Sequence, residues 1–250
     1  MKLHCIPILS ALFTSLVCFS NPATKISDNS PSSGIVIRWN DCEQTIDGFG
    51  IAQAGWAKEL FAFKNRKQVM DKMFGNDGLR LNILRGEIFP HYWENKEDKD
   101  FNLNDDINIE LCDSDFNNKS DDLLRRGQLW LTLEAKNKYH INKLVFSTWS
   151  APAWMKSNGK VSNGKLKPEC YQDFANYLAA FYKAYKSKGI TPYAISPSNE
   201  PGYAAPWNSS LWTADEMGKF ITSNLGPTFQ KENIPAKIIF GENPLWSVVM

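Results

Sequence analysis

The side chains that could do chemistry in this chain stand where apolar runs end. Arg85 and Glu87 close "LNILRGE", Asn199 and Glu200 follow "YAIS" within "PSNEP", and Glu242 and Asn243 follow "KIIF". Glu200 sits between an amide and a proline, a place that suits a solvated loop acid, a helix cap or a proton donor. A partly desolvated carboxyl exchanges protons near neutral pH, because burial raises its pKa toward the working range. Of the three histidines, His4 lies in an apolar leader while His91 and His140 stand alone. Histidine-assisted serine catalysis and a histidine-ligated metal therefore have little to draw on. Carboxylate chemistry is what remains, with no metal and no cofactor expected.

Those ends must be positioned by something, and the apolar patterning says what. Strand-like runs at 44–50, 79–88, 141–149, 193–197 and 236–241 alternate with helical patterns at 56–74, 121–139, 168–188 and 213–232. The third helix is the clearest: Phe174, Tyr177, Leu178, Phe181 and Tyr185 share a face, with Pro168 in the first turn and Gly189 past the end. Thr213 and Glu216 have capping-box spacing at the start of the fourth. Strand, helix, strand, helix implies parallel neighbours joined by crossovers, and "KLVFS", "YAIS" and "KIIF" read as strands covered on both faces. Two α/β architectures fit, an open doubly wound sheet and a (β/α)8 TIM barrel. The first should carry a phosphate-binding loop after an early strand. The glycines of "DGFGIAQAG" lack GxGxxG spacing, and no acid stands where a ribose partner belongs, so the barrel is favoured. Five strands of an intended eight then make the chain a barrel truncated after its fifth strand.

Composition bounds the rest. Net charge is +1 over 250 residues, with 43% hydrophobic and 22% charged side chains, which offers no electrostatic case for nucleic acid. Residues 1–20 read as a signal peptide, with an apolar core of about 12 residues that is too short to span a bilayer. A buried N-terminal strand or helix is the alternative, and Cys18 is a weak match to a lipid-attachment cysteine. A secreted, periplasmic or cell-surface protein with no membrane span is expected. Residues 21–34, rich in Ser, Pro and Asn, read as a tether, 35–46 as a strand region of an accessory β-domain, and 47–250 as the partial barrel. Cys42, Cys112 and Cys170 are widely spaced, which argues against structural zinc and leaves one disulfide open without choosing its pair.

The nine tryptophans are the unusual count. Trp93, Trp149, Trp154, Trp207, Trp212 and Trp246 all follow predicted strands, and Trp56 follows the first. In a barrel that is the functional end. An aromatic rim over a polar floor suits sugar rings, whose apolar faces stack on indole while their hydroxyls take hydrogen bonds. Packing of loops onto the barrel top would place the same tryptophans there. Carboxylates without metal or cofactor, under such a rim, suit glycoside hydrolysis, with a carbohydrate as the partner.

The segments "QTIDGFGIA", "LNILRGE", "STWSAPAWMKSNG" and "AISPSNEP" resemble, in order and spacing, glycoside hydrolase family 30. That family includes glucosylceramidases, endo-xylanases, β-1,6-glucanases and β-1,6-galactanases. The resemblance runs over about residues 35–245 and implies a retaining β-glycosidase. It implies Glu200 as general acid/base, Asn199 on the sugar 2-hydroxyl, Arg85 supporting the nucleophile and Trp149 lining the first subsite. Trp154 and Trp207 complete the expected substrate contacts. The family's nucleophile ends the seventh strand, beyond residue 250, so the chain alone is expected to be inactive. Glu242 is a tempting stand-in, but its strand neighbours that of Glu200 rather than facing it; Glu87 reads as an orienting or rim group. Xylan is favoured slightly over β-1,6-glucan or glucosylceramide. An inactive carbohydrate-binding remnant is the alternative, and so is another barrel glycosidase with a different linkage.

Overall fold

Five short strands run parallel and lie side by side in their order along the chain: β1 Gly50–Ala52, β2 Ile83–Ile88, β3 Lys143–Thr148, β4 Ala194–Ser196 and β5 Lys237–Ile238. This singly wound order matches the barrel expectation, since a doubly wound sheet reverses direction at its switch point. The computed structural model describes residue 38 and residues 40–41, 44–53, 56–98 and 121–243. The chain divides into two units, 1–45 and 46–250. In the first, the described residues include an exposed Arg38–Asp41 ion pair at 3.5 Å. The leader, the tether, most of the expected strand at 35–39, Cys42, Cys112 and Trp246 lie outside the described residues.

Register sorts the sheet into two faces. Ile51 pairs with Leu84 and Leu84 with Leu144, while Gly86, Phe146, Ile195 and Ile238 form a second row. Residues opposite one another in a parallel sheet share a face, and side chains alternate along each strand. Leu84, Ile88, Leu144, Phe146 and Ile195 thus all enter one apolar core with the helices. Phe146 meets Phe181 and Tyr185 edge-on, at ring separations of 5.1 and 4.9 Å. The opposite face carries Arg85, Glu87 and Ser147. Of the three runs read as covered on both faces, β4 is so, while β3 is half-buried at Lys143 and Val145 and β5 is exposed at Lys237; the second face turns polar toward its carboxyl end.

Helices fill the intervals: α1 Ala57–Ala62, α2 Arg66–Phe74, α3 Asp121–Tyr139, α4 Tyr171–Ser187, α5 Ala214–Phe220 and α6 Gly226–Lys231. The single helix expected over 56–74 is broken. Phe63 turns extended, and the Arg66 guanidinium donates to the carbonyl of Phe61 while lying over the Phe61 and Trp130 rings, which closes α1. The first strand begins at Gly50 rather than 44, and the other strands are shorter than their apolar runs. Pro168 opens a 3-10 turn leading into α4, as its position suggested. Thr213 and Glu216 cap α5 reciprocally. Between α5 and α6 the helix widens to a π-turn over Ile221–Leu225, where the Gly226 N–H reaches back to the Ile221 carbonyl. Pro227 cannot donate and its ring crowds the carbonyl four residues back, so a local widening lets the helix continue.

One helix side chain fastens the strand that carries Arg85. Gln128 of α3 accepts the Glu87 N–H at 2.7 Å and donates to the Glu87 carbonyl at 2.7 Å and the Tyr185 hydroxyl at 3.0 Å. Such an approach needs a bare backbone beside it. A Cβ on Gly86 would come within 2.8 Å of Phe146 Cε1 and 2.9 Å of Gln128 Oε1. Gly86→Ala should therefore cost about 1–3 kcal/mol, the usual penalty for overpacking. Urea denaturation of the full-length protein would show it as a lower midpoint at unchanged slope.

Candidate functional site

The guanidinium of Arg85 gathers the carboxyl ends of the strands. From β2, its Nε donates to Glu242 Oε1 at 3.2 Å and its Nη2 to Glu242 Oε2 at 3.2 Å. The same Nη2 donates to Asn199 Oδ1 at 2.8 Å. From β3, the Ser147 hydroxyl donates to Glu242 Oε2 at 2.5 Å. Three strand steps separate β2 from β5, roughly 14 Å in a flat sheet at ordinary strand spacing. Glu242 stands four residues past the end of β5, and its carbonyl takes the Glu200 N–H at 2.9 Å, so the chain after β5 turns back over the polar face to reach Arg85.

The pairing fixes more than charge. Arginine can only donate, so the atom of Asn199 facing it must be the amide oxygen. The Asn199 NH2 group is then left to serve another acceptor. Its backbone N–H is anchored to the Thr148 carbonyl at 2.7 Å. Glu200 follows with φ of 46°, a left-handed conformation that a branched carboxylate side chain does not favour. Its N–H bonds the Glu242 carbonyl at 2.9 Å, and its own carbonyl accepts from the Tyr203 N–H at 2.9 Å. Glycine or asparagine would hold this turn at lower cost, of order 1 kcal/mol.

The tryptophans divide. Trp149 is half-buried, and its indole N–H is enclosed with no acceptor among the described residues. Trp154 is half-buried and donates to the Trp93 carbonyl at 3.2 Å. Trp207 is half-exposed beside Tyr203, with rings 6.4 Å apart. Trp93 and Trp212, expected on the rim, are core residues instead. Trp93 packs edge-on against Tyr177, and Trp212 lies among Tyr171, Phe174 and Phe220. Trp56 turns its N–H to the Ala52 carbonyl at 2.6 Å.

Glu87 is buried on β2, its backbone held by Gln128. Cys170 is a buried free thiol. Among the described residues no group of three metal-ligating side chains gathers, and no helix is long and apolar enough to cross a membrane. A cavity of about 660 Å³ opens at the opposite, amino end of the strands, bounded by residues including Ile141, Leu144, Pro192 and Tyr193. No carboxylate lines it, whereas the carboxyl ends of the strands gather Arg85, Asn199 and Glu242. Sequence reasoning missed Ser147 and Tyr203. Strand alternation places Ser147 opposite Glu87 and could have found it; Tyr203 carried no signal.

Comparison with known proteins bears on this geometry. The family model described as the glycosyl hydrolase family 30 TIM-barrel domain matches residues 46–240. The chain is 28% identical over 237 residues to an endo-1,6-beta-D-glucanase of Neurospora crassa, covering 88% of this chain and 45% of that protein. It is 30% identical over 123 residues to the lysosomal acid glucosylceramidase of Mus musculus, covering 43% of this chain and 24% of that protein. The solved catalytic domain of a xylanase C from Talaromyces cellulolyticus superposes with a TM-score of 0.67 at 25% identity, over 82% of this chain and 48% of that one. The chain thus spans less than half the length of each.

Removing the arginine should strand a partly buried carboxylate. Arg85→Met is expected to destabilise the full-length protein by about 2 kcal/mol, the scale of charged hydrogen bonds. Adding Glu242→Gln should recover part of that loss, because no anion is then left without its cation. Denaturant titration of the two single variants and the double variant measures the coupling.

Proposed function

The chain belongs to glycoside hydrolase family 30, and from that premise we propose that it is the Glu200-bearing part of a retaining β-glycoside hydrolase acting on a polysaccharide. The observation that carries this reading is the meeting of Arg85, Ser147, Asn199 and Glu242 from four strand ends, directly beside Glu200. Glu200 protonates the departing glycosidic oxygen and then, as a carboxylate, takes a proton from the attacking water. Asn199, its oxygen held by Arg85, offers its NH2 group to a sugar hydroxyl. That hydrogen bond strengthens as positive charge develops at the anomeric centre, so it lowers the barrier more than it tightens binding. Trp149 supplies an indole N–H and a flat wall, and Trp154 and Trp207 extend the aromatic surface.

Both carboxylate oxygens of Glu242 are engaged by Arg85, and one also by Ser147. This suits a counter-ion better than a nucleophile. We place the nucleophile on a later strand of a complete eight-stranded barrel. Ile46 and Phe49 beside β1, and Phe240 beside β5, are each more than half exposed at the two sheet edges, where barrel closure would cover them. The apolar leader supports export. The segment "YAISPSNEP" favours xylan ahead of β-1,6-glucan and glucosylceramide as substrate.

Glu200→Gln in the full-length protein should lower turnover on xylan or β-1,6-glucan by roughly 10²–10⁴-fold, the usual contribution of a general acid. An activated aryl glycoside should lose much less in its glycosylation step, since its phenolate departs without a proton. Steady-state and pre-steady-state kinetics on both substrate types test this; equal losses in the glycosylation step would remove Glu200 from the acid role. Glu200→Gly should melt no lower than the parent while losing the same activity, because it relieves the left-handed strain.

A further inference from the structure

Lys156 is 2% exposed, and none of its partners is anionic. Its ammonium donates to Ser150 Oγ at 3.1 Å, to the Asn163 carbonyl at 2.6 Å and to the Ser209 carbonyl at 2.7 Å. Each acceptor is prepared for it. The Ser150 hydroxyl gives its own proton to the Ala151 carbonyl at 3.0 Å, leaving a lone pair for the lysine. Asn163 has φ of 54°, and its N–H is held by Ser209 Oγ at 2.9 Å. Burial pushes the Lys156 pKa down to about 8. A buried cation with only neutral partners is a costly fastener. What the ammonium alone supplies is three donors at one atom, and here three acceptors from separate segments use all of them.

The lysine and two of its three acceptors stand beside the aromatic surface. Ser150 follows Trp149 directly, Lys156 lies two residues past Trp154, and Ser209 lies two past Trp207. The last segment is also tied toward Glu200, through the Trp212 N–H and the Pro201 carbonyl at 2.8 Å. Backbone bonds join 161–164 to 209–211 (Ser209 N–H to the Val161 carbonyl, Leu211 N–H to that of Gly164), and others join Ser157 and Met155 to Lys165 and Lys167. None of these involves Ser150, which the lysine connects to Asn163 and Ser209. We propose that Lys156 is a positioning residue for substrate recognition, a three-point tie that sets the spacing of Trp149, Trp154 and Trp207 across the sugar-binding face. The assignment rests on the glycosidase reading for its ligand, and on the hydrogen bonds alone for the tie.

The test has two readouts, on the full-length protein with Lys156→Met and the milder Ser150→Ala. Peptide-resolved hydrogen exchange should quicken about 10- to 100-fold over 157–165 and 205–212 in Lys156→Met, the scale of lost charged hydrogen bonds. Ser150→Ala should quicken the same two segments by a smaller factor, and it carries the test should Lys156→Met fail to fold. On xylan or β-1,6-glucan, whichever the parent cleaves, both variants should raise KM several-fold with kcat nearly unchanged, because the tie spaces binding surface and touches no reacting group. Unchanged exchange in both segments overturns the tie. Quickened exchange with unchanged KM, or an equal fall in kcat and kcat/KM, overturns the positioning role. Glu200→Gln in the same assay reports separately on the glycosidase reading, since activity indifferent to it removes that reading without altering the exchange result.

Discussion

Parallel strands in register leave one consequential choice, namely which of two alternating sets of side chains meets the helices. Here Leu84, Ile88, Leu144, Phe146 and Ile195 take the helical side. Once that set is buried, period-two alternation sends Arg85, Glu87 and Ser147 to the other face. A slip of one residue in β2 would place the guanidinium among Phe146, Phe181 and Tyr185. That cost is prohibitive for an unpaired charge. The site is thus held in place by the core on the reverse side of the same strands.

Arg85 converts that placement into geometry. Its fork meets a carboxylate with two parallel hydrogen bonds, an arrangement a point-charge ammonium would not reproduce. Glu242 lies on the chain beyond β5, so the pair also fixes how that segment returns over β2. The third contact, to Asn199, carries no net charge but selects one of two amide orientations. Ion pairing, the path of the chain after β5 and the presentation of one NH2 group meet at a single side chain.

Beyond the strands, the loops bear costs that the strands do not. Glu200 occupies a left-handed conformation, Asn163 does likewise, and Lys156 is a buried cation with neutral partners. Each is locally unfavourable, and each lies on a segment that follows β3 or β4. Gln128 and Gly86 form a counterpart within the core, a polar side chain pressed onto a bare strand backbone. Left-handed residues also precede strands, at Arg80, His140 and Asn233, so what distinguishes the carboxyl end is the buried cation and a left-handed glutamate beside Arg85, Asn199 and Glu242.

Helix α3 was legible from Asp121 to Tyr139, and α4, the capping box of α5 and the existence and order of five strands were legible as well, because apolar periodicity and end signals are local. Singly wound topology followed from strand–helix alternation and the missing phosphate loop. Strand ends were less legible: the runs extend beyond the paired residues, as at 79–82 before β2 and 239–240 after β5. The break at Phe63 escaped because it depends on Arg66 reaching back over Phe61 and against Trp130. Glu200, Asn199 and Arg85 could be singled out by type and strand-end position, and the family resemblance gave them roles. That Arg85 bonds both Asn199 and Glu242 was decided by how the chain after β4 and after β5 turns back toward β2, which brings together residues 114 and 157 positions apart. Trp93 and Trp212 show the same limit: sequence placed them after strands, but only side-chain packing could turn them inward. What the sequence determined by itself was what each short segment prefers; what tertiary structure decided was which distant segments meet, because contacts across the sheet depend on chain path and packing that no local pattern encodes.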